Sequence, residues 1–531
     1  MKTIRFTFSC TQPVPFYARL CNHYLKQYND TLALKVAEKD DSYILEANGE
    51  QHELEALADS VSKDFILSCW LTDARVQDIT ESTERLGADT PLKAESVGTP
   101  FCHQCLDSFS NPESAQFGNI AVACSCCHGE INTEALTLAD IQHFVTTLNS
   151  EGQISLSSSL TLSLTPFEGE VRQHLLICSP EKTQERFQVS PVQLQALSSL
   201  EKPLLSVSDE GTLYEIAFAN TRLLTVLCKL LSDAGIDQVY MQGGTHPRML
   251  RLKGQWIAQA QQAGSLASDI NDQTAGSFAL LGSTLNLSDN RNTAVIYLSQ
   301  QFNSQIVALD SDKRPSLFFE MPTLPDSGRD VIEQLQNSSQ KTILAKFQQA
   351  FPEEYARLMT LEFAAPTGNL ETLWAYSAAL IGLADQSLRS RNKTFLADRL
   401  QATALSNRGQ NAPRIDYETQ KIDSHWSYDW KQTLGSLLSF RLAGAPVEKL
   451  AYGLMDSLAD AISTWIEHLD KQVGTPTVAL AGSAFTNELL GQRVCLRLEK
   501  NFTLHVNPQQ AIDGPLLEAG VTALEEHFSQ K

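Results

Sequence analysis

At 531 residues the chain is long enough for three or four domains, each with its own core. It is 42% hydrophobic and 19% charged, the balance of a folded protein and not of a disordered one. Forty-one Lys and Arg against 62 Asp and Glu give a formal charge of −21, which argues against nucleic acid or an anionic membrane as partner. No run of 18 apolar residues occurs, so no membrane span is expected. The opening segment, Met1 to Cys10, lacks the apolar core and small-residue cleavage site of a signal peptide. Eleven cysteines are too few for a disulfide scaffold, and together these features predict a cytoplasmic protein.

The first 85 residues alternate compactly. A strand over Thr3–Ser9 precedes a helix over Phe16–Gln27, which places Phe16, Leu20, Cys21 and Leu25 on one side. Thr31–Ala37 and Tyr43–Ala47 alternate apolar and polar as half-buried strands do, with Asn48-Gly49 ending the second. A helix over Glu53–Ser62 and a strand over Arg75–Ile79 complete a βαββαβ order, the ferredoxin-like arrangement. Thr80 to Thr99 reads as a polar linker.

Two C-x-x-C knuckles follow: Cys102-His103-Gln104-Cys105, an 18-residue spacer, then Cys124-Ser125-Cys126-Cys127. Each knuckle lets two thiolates meet one ion, and the spacer loops the halves together, so Cys102, Cys105, Cys124 and Cys127 are expected to hold a structural zinc. Cys126, His103 and His128 are substitute ligands on the same spacing, and the alternative is a group of reduced thiols or a labile disulfide. Four thiolates leave no open position, so such a zinc shapes the fold and does no chemistry. From Pro100 to Glu130 there is no Lys or Arg, unlike a nucleic-acid-binding zinc ribbon.

Residues 150–170, rich in Ser, Thr and Leu, read as a loose region. Beyond them, Pro203–Val207 and Gln238–Met241 are expected as buried strands flanking a helix over Ala219–Ala234. Arg248, Arg251 and Lys253 are read as a solvated face in preference to a phosphate patch. After a polar boundary at Ser265–Gly276, Ser277–Leu281 and Ala294–Ser299 are expected as strands, followed by a helix-rich region over Gly328–Ala404. A polar loop over Ser406–Pro413 leads to Trp426, Tyr428 and Trp430, read as packing anchors. A helix over Val447–Leu469 comes next. Thr477–Leu480 then forms a short strand that empties into Ala481-Gly482-Ser483-Ala484 before a helix from Glu488. A glycine turn between strand and helix is a common place for phosphate contacts, although any βα unit can contain one.

The order of these modules resembles the hydrogenase-maturation carbamoyltransferase (HypF) family. The C-terminal stretch Val478-Ala479-Leu480-Ala481-Gly482-Ser483-Ala484-Phe485-Thr486-Asn487 is similar to that family's V-x-L-S-G-G-V-F-x-N. Asp513-Gly514 with Leu517-Glu518-Ala519-Gly520 is similar to its N-D-G-G-x-x-L-G, Leu373 to Leu383 to its L-F-D-A-V-A-A-L-L-G, and Leu281-Gly282-Ser283-Thr284-Leu285 to its L-G-A-D-L. The resemblance implies an α/β multidomain chain. It would comprise a ferredoxin-like (acylphosphatase-like) domain over 1–85, a zinc-finger module over 98–135, a reduced YrdC-like segment over 136–264 and an ATPase-related (ASKHA-like) carbamoyltransferase domain over 277–531. It further implies ATP and carbamoyl phosphate as substrates, carbamoyl-adenylate as intermediate, and the C-terminal cysteine of a HypE-like partner as acceptor, on the way to the cyanide ligands of NiFe-hydrogenase. Under it Gly482 and Ser483 match a nucleotide turn, Asn487 the polar residue after it, and Asp513 a metal-site aspartate.

The departures are as informative. A family loop like V-Q-G-V-G-F-R binds phosphate with backbone N–H groups and an arginine, whereas this chain has Thr11-Gln12-Pro13-Val14-Pro15-Phe16-Tyr17. Two prolines remove donors, the nest-forming glycines are gone, and Tyr17 stands where the arginine belongs, with Arg19 further along the helix. No Lys-Arg-x-x-Lys-Pro signature occurs, and Gln242-Gly243-Gly244-Thr245 stands where the family has T-S-G-N. There is no H-H-x-H run, and one aspartate cannot hold a metal that needs several ligands. Asn286 lies near an expected lysine, Gln301 replaces a histidine, and Trp374-Ala375 replaces Phe-Asp. The expectation is therefore a relative with reduced or lost catalysis. An active divergent carbamoyltransferase and an unrelated zinc-stabilised protein are the alternatives.

Overall fold

A computed structural model describes residues 2–79, 87–93, 101–127, 136–259, 266–285, 287, 292–310, 314–407 and 411–529. Most of the expected Thr80–Thr99 linker, His128, Asn286 and part of the Ser406–Pro413 loop lie outside them. The chain divides into two units. One comprises 1–168, 173–205 and 215–247, the other 169–172, 206–214 and 248–531.

The first unit opens with β1 (Lys2–Cys10), α1 (Pro15–Gln27), β2 (Ala33–Lys39), β3 (Ser42–Gly49), α2 (Gln51–Asp64) and β4 (Leu71–Asp78). The sheet order is β2-β3-β1-β4, antiparallel throughout, with Lys2 opposite Gly49 and Ser9 opposite Ser42. This is the predicted βαββαβ order. Alternation along β1 sends Phe6 and Phe8 inward to meet Phe16, Tyr17, Leu20 and Tyr24 of α1. Pro15 starts that helix, where a fixed φ suits the first turn and its missing N–H costs nothing. The Phe8, Tyr17 and Phe65 rings lie 5.2–5.4 Å apart and lock α1 to the sheet.

The same unit continues through α3 (His103–Ser110), α4 (Leu138–Glu151), β5 (Gln153–Ser157), β6 (Leu160–Ser163), β7 (Gln173–Ile177), a helix over Arg222–Asp233 and a strand over Gln238–Gly243. Its second sheet contains β5, β6, Gln238–Gly243 and β7 in that order, all antiparallel. The expected loose region over 150–170 is thus a β-hairpin. Ile154 and Leu156 turn inward while Gln153, Ser155 and Ser157 face water, so a polar-looking composition concealed a period of two.

In the second unit a seven-stranded sheet runs from edge to edge through Thr419–Ile422, His425–Tyr428, Pro315–Glu320, Gln305–Leu309, Ala294–Tyr297, Thr477–Ala481 and Thr503–His505. Ala294–Tyr297 pairs in parallel with Thr477–Ala481, Ala294 facing Val478 and Tyr297 facing Ala481. Both strands are covered on both faces, as their continuous apolar runs require. One face carries helices Ala275–Thr284 and Pro515–Ser529, the other the larger helical layer.

Ser277–Leu281, expected as a strand, belongs to the first of those helices. A short apolar run buried on all sides has no periodicity to separate strand from helix. Packing decides it. A Cβ on Gly282 would sit 2.1 Å from the Leu516 carbonyl oxygen, and one on Gly520 2.1 Å from that of Phe278, so the two helices cross backbone against backbone. On the opposite face Phe319 stacks on Trp465 at 3.9 Å, and Tyr428 lies parallel to the same indole at 6.0 Å, so Tyr428 is a packing anchor. Trp465 belongs to the Val447–Val473 helix, which runs a turn beyond its predicted end and stops at Gly474, φ +67°. Among the described residues no helix is long and apolar enough to cross a membrane.

Candidate functional sites

Cys102 caps the N-terminus of α3, and Cys105 lies one turn on, its Sγ accepting from the Cys102 N–H at 3.2 Å. The loop returns Cys124 and Cys127 to them. Sγ–Sγ distances are 4.0 Å for Cys102–Cys105, 3.5 Å for Cys102–Cys124 and 3.7 Å for Cys105–Cys127, and all four sulfurs lie within 4.8 Å of one another. Four thiolates around zinc, each ~2.3 Å from the ion, form a tetrahedron with edges of about 3.8 Å. The cluster has that size. His103 points into solvent, and Cys126, though buried, is outside the set of four. Hydrogen bonding from Cys105 drives the Cys102 thiol far down, while bonding to Cys102 drives Cys127 up.

Two buried arginines complete the centre. Arg222, at the start of the Arg222–Asp233 helix, donates to the Ile120 and Val122 carbonyls and reaches Cys105 Sγ at 3.7 Å. Arg19 of α1 donates to the Cys127 carbonyl at 2.7 Å. Zn²⁺ with four thiolates carries a net −2, and these guanidiniums bring the compensating charge that residues 100–130 lack. Sequence reasoning missed both roles. The only signal was an arginine at the head of an otherwise apolar helix.

Arg19 is thereby committed elsewhere than the Thr11–Tyr17 loop. In that loop the Thr11 N–H donates to the Trp70 carbonyl, the Val14 N–H to the Tyr43 hydroxyl and the Tyr17 N–H to the Val14 carbonyl, at 2.8–2.9 Å. Tyr17 is fully buried, its hydroxyl donating to the Ile66 carbonyl and accepting from the Ser68 N–H. Three of the N–H donors that an anion nest would aim at phosphate are thus occupied within the protein, and Pro13 and Pro15 offer none.

The C-terminal residues converge. Gly482, Ser483 and Asp513 meet where the Thr477–Ala481 strand ends. Asp513 is 5% exposed. Its Oδ1 accepts from the Tyr297 hydroxyl at 2.9 Å and the Gly514 N–H at 3.0 Å, and its Oδ2 from the Ser299 hydroxyl at 2.8 Å and the Ser483 N–H at 3.0 Å. Four donors from three chain segments fill one carboxylate. Burial, and then the Asp513 charge, push the Tyr297 phenol far above its ordinary range, so it stays a donor. Gly482 has φ +105°, and a Cβ there would lie 2.1 Å from the Leu298 carbonyl oxygen, so only glycine makes this turn. The Ser483 hydroxyl accepts from the Gln300 N–H at 3.0 Å. Asn487 stands apart: it caps the Glu488–Leu498 helix through Oδ1, accepting from the Leu490 N–H, and is 1% exposed.

Gln242-Gly243-Gly244-Thr245 ends the Gln238–Gly243 strand, with the Gly244 N–H donating to the Ser159 carbonyl at 3.0 Å. The next residue, His246, is buried with Nε2 against the Phe218 carbonyl at 2.9 Å, and burial pulls its pKa from 6.5 to about 4. Unfolded, this imidazole takes a proton below pH 6.5; folded, only below about 4. The stability linked to it is therefore whole above pH 6.5 and falls by about 3 kcal/mol as pH drops to 4. His246→Gln is expected to shallow the acid limb of urea midpoint against pH across that window. A curve parallel to wild type would refute the assignment. In the basic stretch, Arg251 is exposed on a strand, as expected, and Lys253 donates to the Leu504 carbonyl.

The chain is similar to several known proteins. The HypF family's "Carbamoyltransferase, Kae1-like Domain, second subdomain" matches residues 378–514. Protein HydE of Wolinella succinogenes is 23% identical over 568 residues, spanning 96% of this chain and 99% of that protein. The crystal structure of T. kodakarensis HypF superposes with a TM-score of 0.66 at 10% identity, covering all of this chain and 99% of that one. Full-length HypF in its phosphate- and nucleotide-bound form gives 0.63 at 10% identity, covering all of this chain and 98% of that one. Identity so low shows a common fold alone.

Proposed function

We propose that this chain, which matches the HypF carbamoyltransferase model over residues 378–514 and shares the full-length HypF fold, serves NiFe-hydrogenase maturation with catalysis reduced or lost. In this reading residues 1–85 are the acylphosphatase-like domain, 98–135 the zinc-finger module, 136–264 the reduced YrdC-like segment and 277–531 the transferase-like domain. A HypE-like maturation protein is the partner, and the setting is the cytoplasm. Zinc on Cys102, Cys105, Cys124 and Cys127 braces the N-terminal half. Gly482 and Ser483 keep the shape of a nucleotide turn, and Asn487 caps the helix that follows it.

The observation that carries the proposal is the Asp513 carboxylate. A metal-site aspartate must offer a lone pair to an ion, and each oxygen here already receives two internal hydrogen bonds. No H-H-x-H run supplies companion ligands. The occupied Thr11–Tyr17 loop supports the same conclusion for carbamoyl-phosphate hydrolysis. The test is carbamoyl-phosphate-dependent cleavage of ATP to AMP and pyrophosphate by the purified, zinc-loaded protein. No turnover above the uncatalysed background is expected, while a HypE-like protein is retained in a pull-down. Steady multiple turnover would overturn the proposal and establish an active divergent carbamoyltransferase.

A further inference from the structure

A cleft of about 600 Å³ opens in the first unit beside the cysteine cluster, with Cys102 and His103 on its lining. One wall is the start of the zinc module, with Phe101 and Leu106. The other comes from the end of β7 at Ile177, from Leu200 and from Phe218 just ahead of the Arg222–Asp233 helix. Its volume is that of a small-molecule site, and its lining mixes aliphatic and aromatic side chains with cysteines, hydroxyls and a few charged groups.

Of the charged groups on this lining, Lys202 lies against the apolar wall. Lys202 Nζ donates to the Ser199 carbonyl at 3.0 Å and sits 5.2 Å above the Phe101 ring. The adjacent carboxylate, Glu201, is used elsewhere: it accepts from the Ser68 hydroxyl at 2.6 Å and the Cys69 N–H at 2.7 Å. An ammonium with three donors therefore meets one carbonyl and one ring face, and burial pulls it down to about 8. Its backbone is also unusual. Lys202 has φ +43°, a left-handed conformation that long side chains rarely adopt, immediately before Pro203. The other cation on the lining, Lys229, is paired with Asp233 at 2.8 Å, and Glu181 adds a negative charge.

We propose that this cleft binds a small organic monoanion, an aromatic or branched carboxylate, with its body between Phe101, Leu106, Ile177 and Phe218 and its carboxylate on Lys202 Nζ. A single uncommitted ammonium matches a single negative charge. A nucleoside triphosphate would bring several charges that these walls do not neutralise. The apolar body gains by leaving water, and the carboxylate gives Lys202 the partner that Glu201 does not.

The probe is 1-anilinonaphthalene-8-sulfonate, an apolar monoanion, compared with its neutral counterpart N-phenyl-1-naphthylamine, on the folded, zinc-loaded protein. One saturable site for the anion is expected. Lys202→Met should weaken it at least tenfold and leave the neutral probe within twofold, and Ala219→Trp, which fills the cleft, should remove both. Equal anion binding by wild type and Lys202→Met would overturn the proposal, as would retention of both probes by Ala219→Trp. A wild-type measurement guards against a variant that fails to fold: 4-tert-butylbenzoate should displace the probe at least tenfold better than 4-tert-butylbenzyl alcohol. Equal displacement would also sink the carboxylate site.

Discussion

Replacing Cys102 and Cys127 with serine together is expected to strip the metal and unfold the N-terminal half of the protein. Each change removes one thiolate from a different knuckle, so neither pair survives to hold an ion. In small zinc modules binding of the ion provides about 10–16 kcal/mol of apparent folding free energy at neutral pH, as much as a whole domain's net stability. The rest of the centre depends on it. The Arg222 and Arg19 guanidiniums are buried against the module, Arg222 beside the Cys105 sulfur and Arg19 on the Cys127 carbonyl, and once the thiolates are gone both are buried cations without the negative charge nearby. Metal analysis should give one zinc per chain in wild type and none in the double variant. Cooperative melting should be lost at a temperature where wild type remains folded, and a strong chelator should reproduce the effect. Full zinc retention by Cys102→Ser/Cys127→Ser would refute the ligand set.

What the sequence disclosed follows from how local each signal is. The βαββαβ order was legible because β1 and β2 alternate with period two and α1 carries its apolar residues on one side, although β3 proves buried on both faces. Cys102, Cys105, Cys124 and Cys127 were legible because thiol chemistry and C-x-x-C spacing restrict each other. The Thr11–Tyr17 loop was legible because prolines remove N–H donors in any fold. Three features were not. The 275–284 helix hides in a short apolar run whose state is set by the crossing of Gly282 with Gly520, more than two hundred residues apart. The 153–163 hairpin hides in Ser and Thr that look like linker. Arg19 and Arg222 reach the cysteine module from about one hundred residues away on either side, a distance over which no spacing rule operates. The Asp513 network belongs with these. The motif was readable, but two of the donors that occupy it, Tyr297 and Ser299, come from the end of the Ala294–Tyr297 strand and just beyond it, and that strand pairs with Thr477–Ala481 only in the folded protein.

That network yields the second large effect. Asp513→Ala leaves the Tyr297 and Ser299 hydroxyls and the Ser483 and Gly514 N–H groups without their acceptor at a buried position. An orphaned buried donor costs about 1–3 kcal/mol, and with partial relaxation the four together should cost about 3–5 kcal/mol in urea denaturation. Asp513→Asn should be nearly as damaging. An amide places its own N–H₂ where one carboxylate oxygen stood, and a fixed backbone N–H, unlike a hydroxyl, cannot rotate to become an acceptor. Tyr297→Phe removes a donor instead of the acceptor and should cost only about 1 kcal/mol, while Ser299→Ala also takes the acceptor from the Gln301 and Phe302 N–H groups and should cost about 2 kcal/mol. This ordering distinguishes a structural lock from a metal ligand. A carboxylate held for an ion would make wild type melt higher in millimolar Mg²⁺ or Mn²⁺ by mass action, and Asp513→Asn would lose that increment. The lock predicts no divalent-dependent shift in either protein, together with a large stability loss in the variant under all conditions. A wild-type melting point raised by Mn²⁺ and insensitive to it after Asp513→Asn would restore Asp513 to a metal site and reopen the case for catalysis.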